Sequence, residues 1–184
     1  MTCIVGLVRK GEVWMGADSA GVGGLSLERR SDRKIQIVGK TFVIGFTSSF
    51  RMGQLLTVGF HPPQPRVGED LMHFMVNDFV DAVRNRLKAG GYAERDKEVE
   101  RGGTFLVGYA GRLFKIEGDY QVGERIEGFN ACGCGDDLAL GSLFSTRGKE
   151  PRDRLMMALQ AAEAFSAGVS GPFHVETLKA GATP

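Results

Sequence analysis

The run Cys3-Ile4-Val5-Gly6-Leu7-Val8 carries no charged side chain. Arg9-Lys10-Gly11-Glu12 follows it, then a second apolar run, Val13-Trp14-Met15-Gly16-Ala17, that closes on Asp18. Two short apolar runs around a turn-forming tetrapeptide predict a β-hairpin. A strand with one wet face would alternate apolar and polar residues. These strands are apolar almost throughout, so their sheet must be covered on both faces. That requirement governs the rest of the chain, which has to supply a layer for each side.

Further strands are expected at Lys34–Val38 and Thr41–Phe46, joined by Gly39-Lys40, after a glycine-marked loop at Gly21, Gly23 and Gly24. A second hairpin is expected at Thr104–Tyr109 and Arg112–Glu117 around Ala110-Gly111, followed by Asp119–Gly123. A last strand, Phe173–Leu178, precedes a small polar tail. Helices fall between. A short one is expected from Phe50 to Gly59, ended by Pro62-Pro63-Gln64-Pro65. The clearest follows Glu69-Asp70, with Met72, Val76, Phe79, Val83 and Leu87 at helical spacing and Gly90-Gly91 as its stop. Asp136-Asp137 can cap another, carrying Leu138, Leu140, Leu143 and Phe144. Pro151 suits the first turn of a fourth, with Leu155, Met156, Leu159, Ala162 and Phe165 as its buried side. The charged stretch Glu94–Arg101 has no apolar period and is expected as an exposed loop.

The order is strands, helices, strands, helices and a final strand. It does not alternate strictly, which argues against a doubly wound parallel sheet and for an α+β chain. Two antiparallel sheets face to face, with helices outside, satisfy it. No linker or solenoid repeat divides the 184 residues, so residues 1–184 are expected to be a single domain.

Composition narrows the function classes. Charged residues make up 24% and the net charge is +1, so no bulk field draws nucleic acid or membrane. Cys3, Cys132 and Cys134 are too few and too odd in number for a disulfide framework. His61, His73 and His174 lack ligand spacing, so no metal and no cofactor is expected. There is neither a membrane-length apolar run nor a signal-sequence pattern, and the expected location is the cytoplasm.

The chemistry begins at Thr2. A threonine hydroxyl is a weak nucleophile, but a chain-terminal threonine carries its own base, because an α-amine titrates near pH ~7.7–8.0. Removal of Met1 would create that amine. Each accompanying residue also has an ordinary role open to it: Asp18 in an Asx turn, Lys34 at a strand edge, Gly45 at a bulge.

Thr2 opens the first strand, Asp18 closes the second, and Lys34 opens the third after Arg30-Ser31-Asp32-Arg33. Gly16-Ala17-Asp18-Ser19-Ala20-Gly21 and Val43-Ile44-Gly45-Phe46-Thr47-Ser48-Ser49 lie at the same junctions, with turns at Gly133-Cys134-Gly135 and Ser170-Gly171-Pro172. In this order the chain resembles the proteasome β-subunit family, and most of all its HslV-type bacterial branch.

The resemblance implies an N-terminal nucleophile hydrolase with a four-layer αββα sandwich. It also implies a threonine peptidase in a self-compartmentalised homo-oligomeric ring, hexameric or heptameric and able to stack. Such a ring would act on peptides or unfolded proteins and be fed by a separate ATPase unfoldase. This chain has no phosphate-binding loop of its own, and Gly21-Val22-Gly23-Gly24 leads into a charged strand rather than a helix. By the resemblance, Thr2 is the nucleophile, Lys34 activates it, Asp18 orients Lys34, and Gly45 supplies the oxyanion N–H. Cys134 and Ser170 support the threonine amine, while Gly21, Asp32, Val43, Thr47 and Arg51 line the specificity pocket.

Two departures stand out. Cys134 replaces a serine, and a thiol is the weaker hydrogen-bond partner. Ala167 stands where classical subunits carry an aspartate, as HslV-type chains also differ there. The competing expectations are an inactive ring-forming scaffold and an amidase acting on a small molecule.

Overall fold

The computed structural model describes residues 1–179, and the polar tail from 180 onward lies outside them. The first sheet contains β1 (Cys3–Arg9), β2 (Glu12–Ala17), β12 (Phe129–Gly133) and β13 (His174–Leu178), in the order β12-β1-β2-β13. The second contains β5 (Ile35–Val38), β6 (Phe42–Phe46), β9 (Phe105–Tyr109), β10 (Arg112–Ile116) and β11 (Val122–Glu124), in the order β11-β10-β9-β6-β5. Every pairing in both sheets is antiparallel.

Period-two alternation explains how apolar strands serve two layers at once. On β1, Cys3, Val5 and Leu7 pack with Leu143, Leu155 and Leu159, from α4 (Asp136–Ser145) and α5 (Pro151–Phe165). Ile4 faces the other way and packs with Met15, Ile35, Val43 and Leu106 between the sheets. On β6, Phe42, Ile44 and Phe46 meet the outer helices of the second sheet, with Phe74, Phe79, Val83 and Leu87. Those helices are α1 (Phe50–Thr57), α2 (Leu71–Phe74) and α3 (Val80–Ala89), the last two joined by a π-helical turn at Met75–Phe79. The architecture is a four-layer αββα sandwich.

Local signals set several boundaries. The Ser49 side chain accepts the Arg51 N–H at 3.0 Å and caps α1, and Asp70 accepts the His73 N–H at 2.8 Å to cap α2. Pro151 occupies the first turn of α5.

Several expectations are corrected. The π-helical turn re-phases the helix after Asp70, so Phe74 and Met75 are buried while Val76 is exposed. The glycine-marked loop after Asp18 contains a two-stranded ribbon, β3 (Ala20–Gly23) with β4 (Ser26–Arg29). The charged stretch contains another, β7 (Glu94–Asp96) with β8 (Val99–Arg101). Leu138, Phe144 and Phe165 are exposed rather than core, Phe165 at 81%.

Candidate active site

Thr2 sits just ahead of β1, Asp18 just past β2, and Lys34 just ahead of β5. The two sheets therefore present all three at one end of the sandwich. The Lys34 carbonyl accepts the Phe46 N–H at 3.0 Å, which fixes the lysine backbone against β6. Its side chain is 1% exposed and Asp18 is fully buried.

All three ammonium hydrogens are used. Lys34 Nζ donates to Asp18 Oδ1 at 2.8 Å, to the Ala20 carbonyl at 2.6 Å and to Thr2 Oγ1 at 2.9 Å. Asp18 in turn accepts at both oxygens. Oδ1 takes the Cys3 N–H at 3.0 Å; Oδ2 takes the Ala20 N–H at 3.0 Å and the Ser170 N–H at 3.4 Å. Such a donor set satisfies both oxygens of the buried carboxylate. Burial pulls the Lys34 pKa below its ordinary value, and the Asp18 charge opposes that pull. The result is a desolvated cation, held by an anion, that touches the threonine hydroxyl.

The Thr2 main-chain N–H donates to Cys134 Sγ at 3.3 Å, and Sγ contacts the Thr2 carbonyl at 3.4 Å. Ser166 Oγ lies 3.5 Å from the same sulfur. Cys134 thus lies against the Thr2 main-chain nitrogen. The other thiols are shielded: burial first, then the Asp18 charge, raises the Cys3 pKa, and burial raises that of Cys132. With Met1 attached, the Thr2 hydroxyl donates to the Met1 carbonyl.

A cavity of about 420 Å³ opens beside Thr2, lined among others by Met1, Gly21, Arg30, Thr47, Ser48 and Phe50. Gly21 and Thr47 are among its lining residues. Asp32 stands behind the wall, holding Arg30 through two bonds at 2.7 and 2.9 Å. Val43 does not line the cavity, because it is buried between the sheets. Arg51 points away, donating to the Gly90 carbonyl at 3.1 Å.

Gly45 is also displaced from its expected role. It lies inside β6 between Ile35 and Leu106, and a Cβ there would meet Ile4 Cγ2 and Met15 Sδ at 2.6 Å. Close sheet-on-sheet packing, not substrate approach, requires that glycine. Ser170 contributes through its backbone to Asp18 and to the Ser19 N–H, while its hydroxyl turns to the Gly171 carbonyl.

Arg30, Phe50 and Ser48 were not anticipated as site residues. The Arg30 guanidinium stacks on Phe50, 4.1 Å from the ring centroid. Ser48 has φ +59°, a left-handed conformation that a serine does not advertise in sequence. Among the described residues no acidic, histidine or cysteine group could hold a metal ion, and no helix is long and apolar enough to cross a membrane.

No family model and no curated protein matches the chain in sequence. Solved structures do match. BPH of Thiobacillus denitrificans superposes with a TM-score of 0.77 at 18% identity, covering 97% of this chain and 98% of that one. HslV from Trypanosoma brucei superposes with a TM-score of 0.68 at 16% identity, covering 97% and 99%. The fold is that of HslV. A second structure of the Thiobacillus protein, in complex with epoxomicin, gives a TM-score of 0.76 at 18% identity.

Proposed function

We propose that this HslV-like chain is a threonine peptidase whose nucleophile is Thr2 once the Met1–Thr2 bond has been cut. The observation that carries the reading is the 2.9 Å contact from the buried, Asp18-held Lys34 ammonium to Thr2 Oγ1. A cation there stabilises a developing alkoxide and disfavours protonation of the neighbouring amine, which leaves that amine free as a base. A structural lysine on an exposed edge would be under no pressure to bury its charge on a hydroxyl.

The chemistry follows from these atoms. The freed Thr2 amine takes the hydroxyl proton while Oγ1 attacks the peptide carbonyl. The oxyanion is met by the Ser48 main-chain N–H at the cavity's edge, since the Thr47 and Ser49 N–H groups already donate to the Thr104 and Thr47 carbonyls. Collapse releases the amine half of the substrate, which leaves with the proton, and an ester on Thr2 remains. Water, deprotonated by the same amine, hydrolyses the ester and restores the hydroxyl. Assembly into a closed homo-oligomeric ring, fed by a separate ATPase, belongs to the same reading and is supported by the HslV-like fold.

The test is intact-mass analysis followed by incubation with epoxomicin, the ligand of the structural neighbour, and with a threonine-directed covalent peptide inhibitor. A mature chain beginning at Thr2, with an adduct on Thr2 that Thr2→Ala and Lys34→Ala abolish, is expected. A population that keeps Met1 throughout points to an inactive scaffold. An adduct on Cys134, or turnover surviving in Thr2→Ala, overturns the mechanism. Turnover of small amides by a species no larger than a dimer, with peptides untouched, points to the amidase.

A further inference from the structure

We propose that the cavity beside Thr2 selects a lysine or arginine side chain and that Glu28 sets the preference. The inference rests on the cavity being the peptide site. Its charges can be followed one by one. Lys34 is spent on Asp18, the Ala20 carbonyl and Thr2. Arg30 is held by Asp32, to which Nε and Nη2 donate at 2.7 and 2.9 Å, its Nη1 lies on the Glu28 side, and its flat face lies on Phe50. Its stem crosses Gly21 so closely that a Cβ there would meet Cδ at 3.0 Å. Arg30 is therefore a wall of the cavity and not a receptor for an incoming anion.

Glu28 is the carboxylate left over. It lines the cavity, its side chain is 73% exposed, and its nearest cation is Arg30 Nη1 at 3.8 Å, well beyond the bidentate Asp32 contacts. Asp18 is paired with Lys34 and Asp32 with Arg30, which leaves Glu28 as the carboxylate of the cavity lining without a close ion pair. Val22, Leu27 and Phe50 add apolar wall. A long aliphatic stem with a cationic head satisfies both features, since such side chains lay their methylenes on apolar surface and keep the charge at a polar rim. An acidic side chain would face Glu28 and meet an Arg30 whose charge is already matched by Asp32, so the site discriminates by repulsion as well as by attraction.

The experiment uses fluorescein-labelled peptide amides that differ only in the residue before the scissile bond: lysine, leucine or glutamate. Binding is measured by fluorescence polarisation and cleavage in parallel. The lysine peptide should exceed the leucine peptide by about three- to fivefold, the scale of one partly exposed ion pair, with glutamate last. Glu28→Gln should erase the lysine advantage, Glu28→Lys should invert the lysine–glutamate order, and Asp32→Asn should raise the glutamate peptide by freeing Arg30. Equal binding of lysine and leucine peptides, an order unmoved by Glu28→Gln, or no binding at all overturns the proposal. The expected binding order without any cleavage would leave the preference standing and remove the peptidase reading. Cleavage with no preference would do the reverse.

Discussion

Replacing Asp18 with asparagine isolates the electrostatic core of the site. The substitution keeps the size of the side chain and removes the charge facing Lys34 Nζ at 2.8 Å. Leaving one member of a buried ion pair alone costs about 3–5 kcal/mol. The asparagine amide nitrogen must also face either the Lys34 and Cys3 donors or the Ala20 and Ser170 N–H groups, and leaving a buried donor unmatched costs roughly 1–3 kcal/mol. These overlap, so a loss near the lower end, about 3 kcal/mol, is expected. Set against a typical stability of about 5–15 kcal/mol, the variant folds but melts on the order of 10 °C lower.

Lys34→Met should cost less, because Asp18 keeps three main-chain N–H partners once the ammonium has gone. The double variant should be no worse than Asp18→Asn alone, since the stranded cation is no longer there. Urea denaturation of the four proteins at neutral pH gives the coupling energy directly. Single losses that simply add to within about 0.5 kcal/mol, or an Asp18→Asn loss below about 1 kcal/mol, would refute the claim that the pair is one buried unit.

Three more outcomes follow. Burial holds the Lys34 pKa below the ordinary lysine value of about 10.4, so between the two the unfolded chain binds more protons and this group's contribution to stability rises with pH. Activity runs the other way, because it needs the charged form; the alkaline limb of kcat/KM should lie below an ordinary lysine and move lower still in Asp18→Asn. Gly45→Ala should destabilise by about 1–3 kcal/mol through overpacking against Ile4, Met15 and Ile35, read as a fall in Tm. Phe165→Ser should shift monomer stability by no more than about 0.5 kcal/mol, because the residue is 81% exposed; a larger loss in dilute denaturation would contradict its exposure.

The meeting of Thr2, Asp18 and Lys34 was more legible in the sequence than the cavity wall beside them. Thr2, Asp18 and Lys34 stand at the ends of strands whose apolar runs are long enough to recognise, so their convergence could be anticipated from the order of the strands. Val43 and Gly45 were misplaced because β6 alternates: Phe42, Ile44 and Phe46 face the helices while the residues between them face the other sheet, and the cavity begins only past the strand, at Thr47. Strand β12 was missed because Phe-Asn-Ala-Cys-Gly mixes a polar residue into a short run, and its pairing partner β1 lies more than a hundred residues earlier. Phe144 and Phe165 look like core in sequence, since an exposed aromatic and a buried one read alike at helical spacing.

Asp18 draws its hydrogen-bond donors from Cys3 at the start of the chain, from Lys34, and from Ser170, 152 positions downstream. The residue that holds Lys34 in place is therefore finished only when the Ser170 turn has been made and β13 has docked beside β2. A growing chain has its threonine from the outset but not the scaffold around it. On the peptidase reading, reactivity would wait until residue 170 has been made, and any local opening of that turn would loosen the carboxylate.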